Sequence, residues 1–219
     1  GEFSARIAGA AHGFVSVVSD KEREMAGKHE LYEAQNRQQA VLECDGFTDE
    51  RYEQFFRHMG LGTVSVLDVG CNTGRGGKRL KELNPSLLIT GLDCVRERLD
   101  ALPSAYIRGI YGLSTEIPVE DRSFDVVLAG EFLEHLYPAD VDKTLCEFQR
   151  VLRIGGQLML TTPNPGYLRN RVHGWSVYRA SHLTQHHAPV LRFRLLMHGF
   201  THVRLYGSGR VSRFLGQFF

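Results

Sequence analysis

Cysteine is scarce in these 219 residues: Cys44, Cys71, Cys94 and Cys146 are scattered, and no C-x-x-C pair occurs. That pattern supports neither a disulfide framework nor a zinc ribbon, and it suits a reducing cytosol. Long apolar runs are also missing. No stretch reaches the ~20 consecutive apolar residues that span a bilayer. The segment Ile7 to Val18 is broken by Gly9, His12 and Gly13 and reads poorly as a signal peptide. The opening Gly1-Glu2-Phe3 reads as a cloning remnant. Internal repeats and low-complexity tracts are lacking as well. Apolar and aromatic residues are not: 42% of the chain is hydrophobic, with 13 Phe and 8 Tyr, which excludes a disordered chain. The length fits one ordinary domain with a small helical annex.

Acid is absent from the last third. The final carboxylate is Glu147, and beyond it stand ten arginines and no lysine. The net charge of +1 therefore hides an acidic front and a strongly basic end. Seven of the ten histidines also lie at or after His135. The split points to an anionic partner for the C-terminal part, or to mutual neutralisation of the two regions.

Residues 20–45 are polar and read as helical with a weak apolar face. Thr48 to Gly60 reads as a short helix, since Tyr52, Phe55, Phe56 and Met59 recur at helical spacing. Then the pattern alternates. Strands are expected at Val64–Gly70, Leu87–Asp93, Ala105–Ile110, Ser123–Gly130 and Gln157–Thr162. Helices are expected at Arg75–Leu83, Val95–Leu102 and Asp140–Arg153, the last stopped by Gly155-Gly156. One more helix around Leu191, Leu195 and Leu196 ends at Gly199, and Phe200 to Tyr206 alternates like an edge strand. Such alternation implies an α/β fold with a doubly wound, mostly parallel sheet. Its ligands bind at the carboxyl ends of the strands, so Asp68 to Gly74, Asp93 and Glu131 should share a cleft.

Asp68-Val69-Gly70-Cys71-Asn72-Thr73-Gly74 fits D-x-G-x-x-x-G after a strand. Glycines there admit a ligand close to backbone, and the next helix presents its N-terminus. A dinucleotide turn would read G-x-G-x-x-G, but here position 72 is Asn. The acid at the strand tip attracts an ammonium and repels a pyrophosphate. Asp93 ends the next strand, where a carboxylate accepts from ribose hydroxyls. Together these features favour an adenosine-bearing ligand with an amino-acid tail.

Residues 64–206 resemble class I S-adenosylmethionine-dependent methyltransferases. The blocks are Val66 to Gly74, Gly91-Leu92-Asp93, Ser123 to Val127, Glu131 to Leu136, Arg150 to Gly156 and Thr162-Pro163-Asn164, in family order. The resemblance implies a seven-stranded Rossmann-like sheet. It also implies an N-terminal helical extension at 1–60, a cofactor-binding core at 61–162 and an acceptor-covering segment with the last strands at 163–219. By it, Asp68, Gly70, Cys71, Asn72, Gly74, Asp93, Cys94 and Glu131 would hold S-adenosylmethionine. No acid follows the third strand for the adenine amine, and backbone near Ser114 or Thr115 is the alternative.

Glu131, Glu134 and His135 fall at i, i+3 and i+4, one face of a helical turn. Such a face would suit a divalent ion such as Mg²⁺, Mn²⁺ or Zn²⁺, and the resemblance to relatives that add a later His implies His182 as the fourth ligand. Without a metal, His135 is the first candidate for general base, followed by His182, His186 and His187. Arg169, Arg171 and Arg179 would grip phosphate, and Trp175 and Tyr178 would stack on a sugar or base. Residues 211–219 resemble either a short interfacial helix, which would add a peripheral membrane contact, or a tail docked on the core. The expected reaction is O-methylation of a hydroxyl on a sugar or an anionic, lipid-linked saccharide. Alternatives are a phenol or quinone precursor, an RNA ribose 2′-hydroxyl (disfavoured, since no nucleic-acid platform is visible), and a cofactor-binding regulatory subunit.

Overall fold

A computed structural model describes residues 20–37, 46–166 and 181–207. Its elements are α1 (Asp20–Arg37), α2 (Gly46–His58), β1 (Ser65–Val69), α3 (Arg75–Leu83), β2 (Leu88–Asp93), α4 (Arg96–Asp100) and β3 (Tyr106–Tyr111). They continue with β4 (Phe124–Gly130), a 3₁₀ turn at Leu133–His135, α5 (Pro138–Val151), β5 (Leu152–Thr161) and α6 (Ala188–Met197).

The strands form one sheet in the order β3-β2-β1-β4-β5, every pairing parallel. The chain runs outward from β1 to β3, then returns to lay β4 on the other side of β1. That reversal leaves a crevice at the carboxyl ends of β1 and β4. Period-two alternation assigns the faces. Leu67, Val69, Leu92, Val127 and Ala129 pack with α1, α5 and α6. Val66, Ile89, Val126 and Leu128 pack with Tyr52 and Phe55 of α2 and Leu80 of α3. Both N-terminal helices thus belong to the two layers that cover the sheet.

Two expectations change. The sheet has five strands among the described residues, not seven, and Phe200 to Tyr206 does not join it. Instead, Tyr206 stacks on His58 with ring centroids 4.3 Å apart. The second change is at β5, which begins directly where α5 ends. Gly155 (φ +80°) lies in a bulge, and the register jumps from Phe124↔Leu152 to Val126↔Gln157. The Gly155-Gly156 pair is therefore a strand irregularity rather than a helix stop.

α1 crosses the carboxyl edge of the sheet. Tyr32 donates to Asp140 Oδ2 at 2.8 Å and accepts from the Tyr137 N–H, and Lys28 pairs with the same carboxylate. Glu33 meets Tyr111 at the end of β3, and Arg98 of α4 donates to the Asn36 carbonyl.

Candidate active site

The turn after β1 is built by its own backbone. The Gly70 and Cys71 N–H groups both donate to the Leu92 carbonyl, and Gly74 N–H donates to the Cys71 carbonyl. The Cys71 side chain is buried against Gly91, and burial pushes its thiol up. Cys71 therefore shapes the turn. Asn72 sits at φ +50°, which Asn tolerates better than most residues.

Asp68 is fully buried beneath this turn. Tyr52 donates to its Oδ1 at 2.6 Å and Tyr106 to its Oδ2. Burial pushes its carboxyl up to about 6, although the two hydroxyls pull the other way. Each oxygen thus holds one tyrosine donor, and the clamp fixes Asp68 beneath the turn. Two glycines make this possible. A Cβ on Gly76 would lie 2.1 Å from the Tyr52 ring, and one on Gly77 would lie 2.3 Å from Tyr106. The Gly77 N–H also donates to the Tyr106 oxygen at 3.0 Å.

Asp93 accepts from Asn72 N–H at 3.0 Å and Val95 N–H at 2.9 Å, one on each oxygen, with the Arg98 guanidinium 3.7 Å away. Each oxygen keeps a lone pair for a further donor. Burial raises its carboxyl, and Arg98 opposes that. The neighbouring Cys94 thiol is pushed up to about 12 by burial.

Beyond β4 the chain bends sharply. Glu131 adopts φ +51°, and its N–H donates to both the carbonyl and the hydroxyl of Thr161. The 3₁₀ turn begins only at Leu133, so Glu131 is not on a common helical face with Glu134 and His135. Ligand atoms of Glu134, His135 and His182 do converge, all within 4.8 Å of one another. Glu131 is not in that set, which corrects the four-residue expectation. Its charge nevertheless adds to burial in pushing the Glu134 carboxyl up to about 8. His135 Nδ1 lies 2.9 Å from the Ser181 carbonyl, so it carries the proton and Nε2 keeps its lone pair. Burial lowers the His135 pKa, with the His182 ring 5.0 Å away. His186 is buried too, and it is paired with the Thr184 hydroxyl at 3.0 Å.

Seven buried side-chain polar atoms make no well-formed hydrogen bond among the described residues, although the Thr162 hydroxyl lies near enough to Glu134 to favour its ionised form. Asn72 Oδ1, Thr115 Oγ1, both Glu134 oxygens and Thr162 Oγ1 follow β1, β3, β4 and β5 respectively. The other two, on His29 and Gln35, belong to α1 above that edge. Leaving such a group buried and unmade costs about 1–3 kcal/mol. Asn72, Thr115, Glu134 and Thr162 all follow the carboxyl ends of strands, the edge at which ligands of such sheets bind.

Residues 67–160 match a family model described as a methyltransferase domain. A malonyl-[acyl-carrier protein] O-methyltransferase of Coxiella burnetii is 34% identical over 109 residues, covering 50% of this chain and 37% of that protein. A phthiotriol/phenolphthiotriol dimycocerosates methyltransferase of Mycobacterium ulcerans is 35% identical over 131 residues, 57% of this chain and 45% of its own. A solved S-adenosylmethionine-dependent methyltransferase from Archaeoglobus fulgidus aligns with a TM-score of 0.60 at 18% identity, covering 90% of this chain and 88% of that one. Residues 67–160 thus form a methyltransferase domain, on the fold of S-adenosylmethionine-dependent methyltransferases. The matches span less than half the length of the two curated relatives.

Around this candidate site, three residues gave no sequence signal. Tyr52 and Tyr106 lie 16 and 38 residues from the carboxylate they clamp. Phe132 covers the turn, since a Cβ on Gly70 would lie 2.7 Å from its ring. Arg51 of α2 is a fourth: its Cδ lies 2.8 Å from a Cβ position on Gly130, and its charge acts on both Asp68 and Glu134. The expected acceptor residues Arg169, Arg171, Trp175, Tyr178 and Arg179 fall outside the described residues, as does the expected interfacial helix at 211–219. No described helix is long and apolar enough to cross a membrane.

Proposed function

We propose that this methyltransferase transfers a methyl group from S-adenosylmethionine to an oxygen of an anionic small-molecule or lipid acceptor. The observation that carries the reading is the pair of unpartnered buried oxygens, Asn72 Oδ1 and Thr115 Oγ1, on the carboxyl edge that also holds Asp93. The residues fit the cofactor. Asp93 would take the ribose, the Gly70–Gly74 turn the methionine part, and Thr115 the adenine side. When bound, the cofactor supplies an already activated sulfonium methyl. The protein's part is then placement and proton removal. Placement in line can supply about 7–11 kcal/mol of the barrier.

An oxygen acceptor must lose its proton, and a base near the operating pH adds about 10²–10⁴-fold. His135 meets that need: burial keeps it neutral, and Nε2 is free of the carbonyl that holds Nδ1. The acceptor class draws on two further supports. The two curated relatives are named for a malonyl thioester carrier and for a lipid. Ten arginines with no carboxylate occupy the region beyond Glu147. The narrower form of the reading is a sugar hydroxyl on an anionic or lipid-linked saccharide.

A divalent metal is a second reading, favoured by the buried Glu134 carboxylate, whose ligand atoms converge with those of His135 and His182. Carboxylate and imidazole donors suit Mn²⁺, Zn²⁺ or Mg²⁺. A metal there would lower the pKa of a coordinated acceptor oxygen.

Calorimetry tests the main reading. S-adenosylmethionine should bind in the micromolar range, roughly −8 kcal/mol. Asp93→Ala should weaken it more than about tenfold, the equivalent of losing ~1.4 kcal/mol. Binding of NAD with none of S-adenosylmethionine would overturn it. Labelled methyl recovered on nitrogen or carbon from an acceptor panel would overturn the oxygen assignment.

A further inference from the structure

Away from the cleft, three side chains form a relay at the seam of α5 and α6. Cys146 is exposed on α5, and its Sγ lies 3.4 Å from His198 Nδ1, just past the end of α6. His198 Nε2 lies 3.0 Å from Asp142 Oδ1, one turn before Cys146 on the same helix face. Arg194 Nε holds that carboxylate at 3.1 Å.

The chemistry of the partners sets the tautomer. An ionised carboxylate only accepts, so Nε2 carries the proton and Nδ1 turns its lone pair to the thiol. Nucleophile, base and orienting acid thus stand in the order that activates a cysteine. The other described cysteines lack this. Cys71 is buried, and burial pushes both its thiol and that of Cys94 upward. None of Cys146, His198 or Asp142 takes part in the methyl-transfer site.

We propose that Cys146 is a site of reversible thiol–disulfide exchange, set up by His198 and Asp142, that accepts low-molecular-weight disulfides. In the forward step the Cys146 proton passes to His198 Nδ1, and the sulfur attacks one sulfur of the disulfide R–S–S–R. The Cys146–S–S–R bond forms as the original S–S bond breaks. The departing thiolate takes the proton from His198 and leaves as R–SH. Cys146 is oxidised and one half of the disulfide is reduced, so no other oxidant is needed. Excess thiol reverses the step.

The test treats the folded protein, in a Cys44→Ser background, with glutathione disulfide at neutral pH, followed by peptide mass mapping. The expected result is one mixed disulfide, at Cys146, removed by dithiothreitol and absent in Cys146→Ser. His198→Gln should slow its formation about tenfold and Asp142→Asn roughly threefold, because thiolate supply controls the exchange rate. In denaturant, all three proteins should react at one common rate. The proposal is overturned if Cys146 stays unmodified while Cys94 or Cys71 reacts. It is equally overturned if Asp142→Asn and His198→Gln, both folded by circular dichroism, react at the wild-type rate.

Discussion

Tyr52 of α2 and Asp68 at the tip of β1 share a buried 2.6 Å hydrogen bond that ties α2 to the base of the glycine turn. Tyr52→Phe would leave Asp68 Oδ1 buried without its donor. The expected loss is about 1–3 kcal/mol, or roughly 2–4 °C in melting temperature per kcal/mol for a chain of this size. The pH dependence follows from the sign. The Asp68 carboxyl is raised to about 6 in the fold, so its contribution favours folding when protonated and declines as pH rises from about 4 through about 6. In Tyr52→Phe that decline should extend to higher pH. Identical pH profiles for the two proteins would refute the clamp.

Gly76→Ala should destabilise the protein more than an ordinary helix Gly→Ala change, which is usually favourable by ~1 kcal/mol. The added Cβ would stand 2.1 Å from the Tyr52 ring and force it off Asp68. Urea denaturation should show a lower midpoint, and Tyr52→Ala in the same chain should recover part of the loss.

Acid sensitivity should carry the opposite sign at Asp125. Its own burial would raise the carboxyl, but the Ser65 and Val64 N–H groups and Arg153 hold it at about 2. Stability from this residue is present above the unfolded value of about 3.9 and lost as pH falls toward 2. The gap between wild type and Asp125→Asn should be ~1–2 kcal/mol at pH 6, after discounting for solvent screening, and close by pH 2. A gap that stays constant with pH would sink the assignment.

Exhaustive EDTA treatment distinguishes the two readings of the Glu134 cluster. If a metal is held there, activity falls and returns with Mn²⁺, Zn²⁺ or Mg²⁺, and Glu134→Gln abolishes both the activity and calorimetric metal binding. Activity undiminished by EDTA leaves His135 as the base.

Salt should separate acceptor from cofactor. Charge contacts are screened within about 8–10 Å at physiological ionic strength, so acceptor KM should rise with salt while cofactor Kd holds. Arg169→Ala and Arg171→Ala should each raise acceptor KM. A flat KM into half-molar salt, with both variants unchanged, rejects an anionic acceptor.

The sheet was legible because buried parallel strands leave apolar runs with Asp or Gly at their tips. β1, β2 and β4 fall within a residue or two of expectation, and α3 matches at Arg75–Leu83. What local pattern could not carry was partnership across the chain. The D-x-G turn lies at the carboxyl edge, where its pattern puts it, yet nothing near Asp68 in the sequence announces that Tyr52 and Tyr106 clamp it from distant elements. The spacing of Glu131, Glu134 and His135 suggested one helical face, but a left-handed Glu131 removes the first member. Phe200 to Tyr206 has strand-like alternation and no neighbouring strand to pair with among the described residues.

Asn72 and Glu131, on either side of the crevice, both hold positive φ without being glycine. Such conformations cost on the order of 1–3 kcal/mol each, which glycine would largely avoid. A directed-evolution campaign scored on thermal tolerance alone would therefore enrich glycine at both positions. Its winners would be hardier proteins stripped of an amide and a carboxylate at the proposed reacting edge. Selection for heat and selection for turnover should diverge first at these two codons.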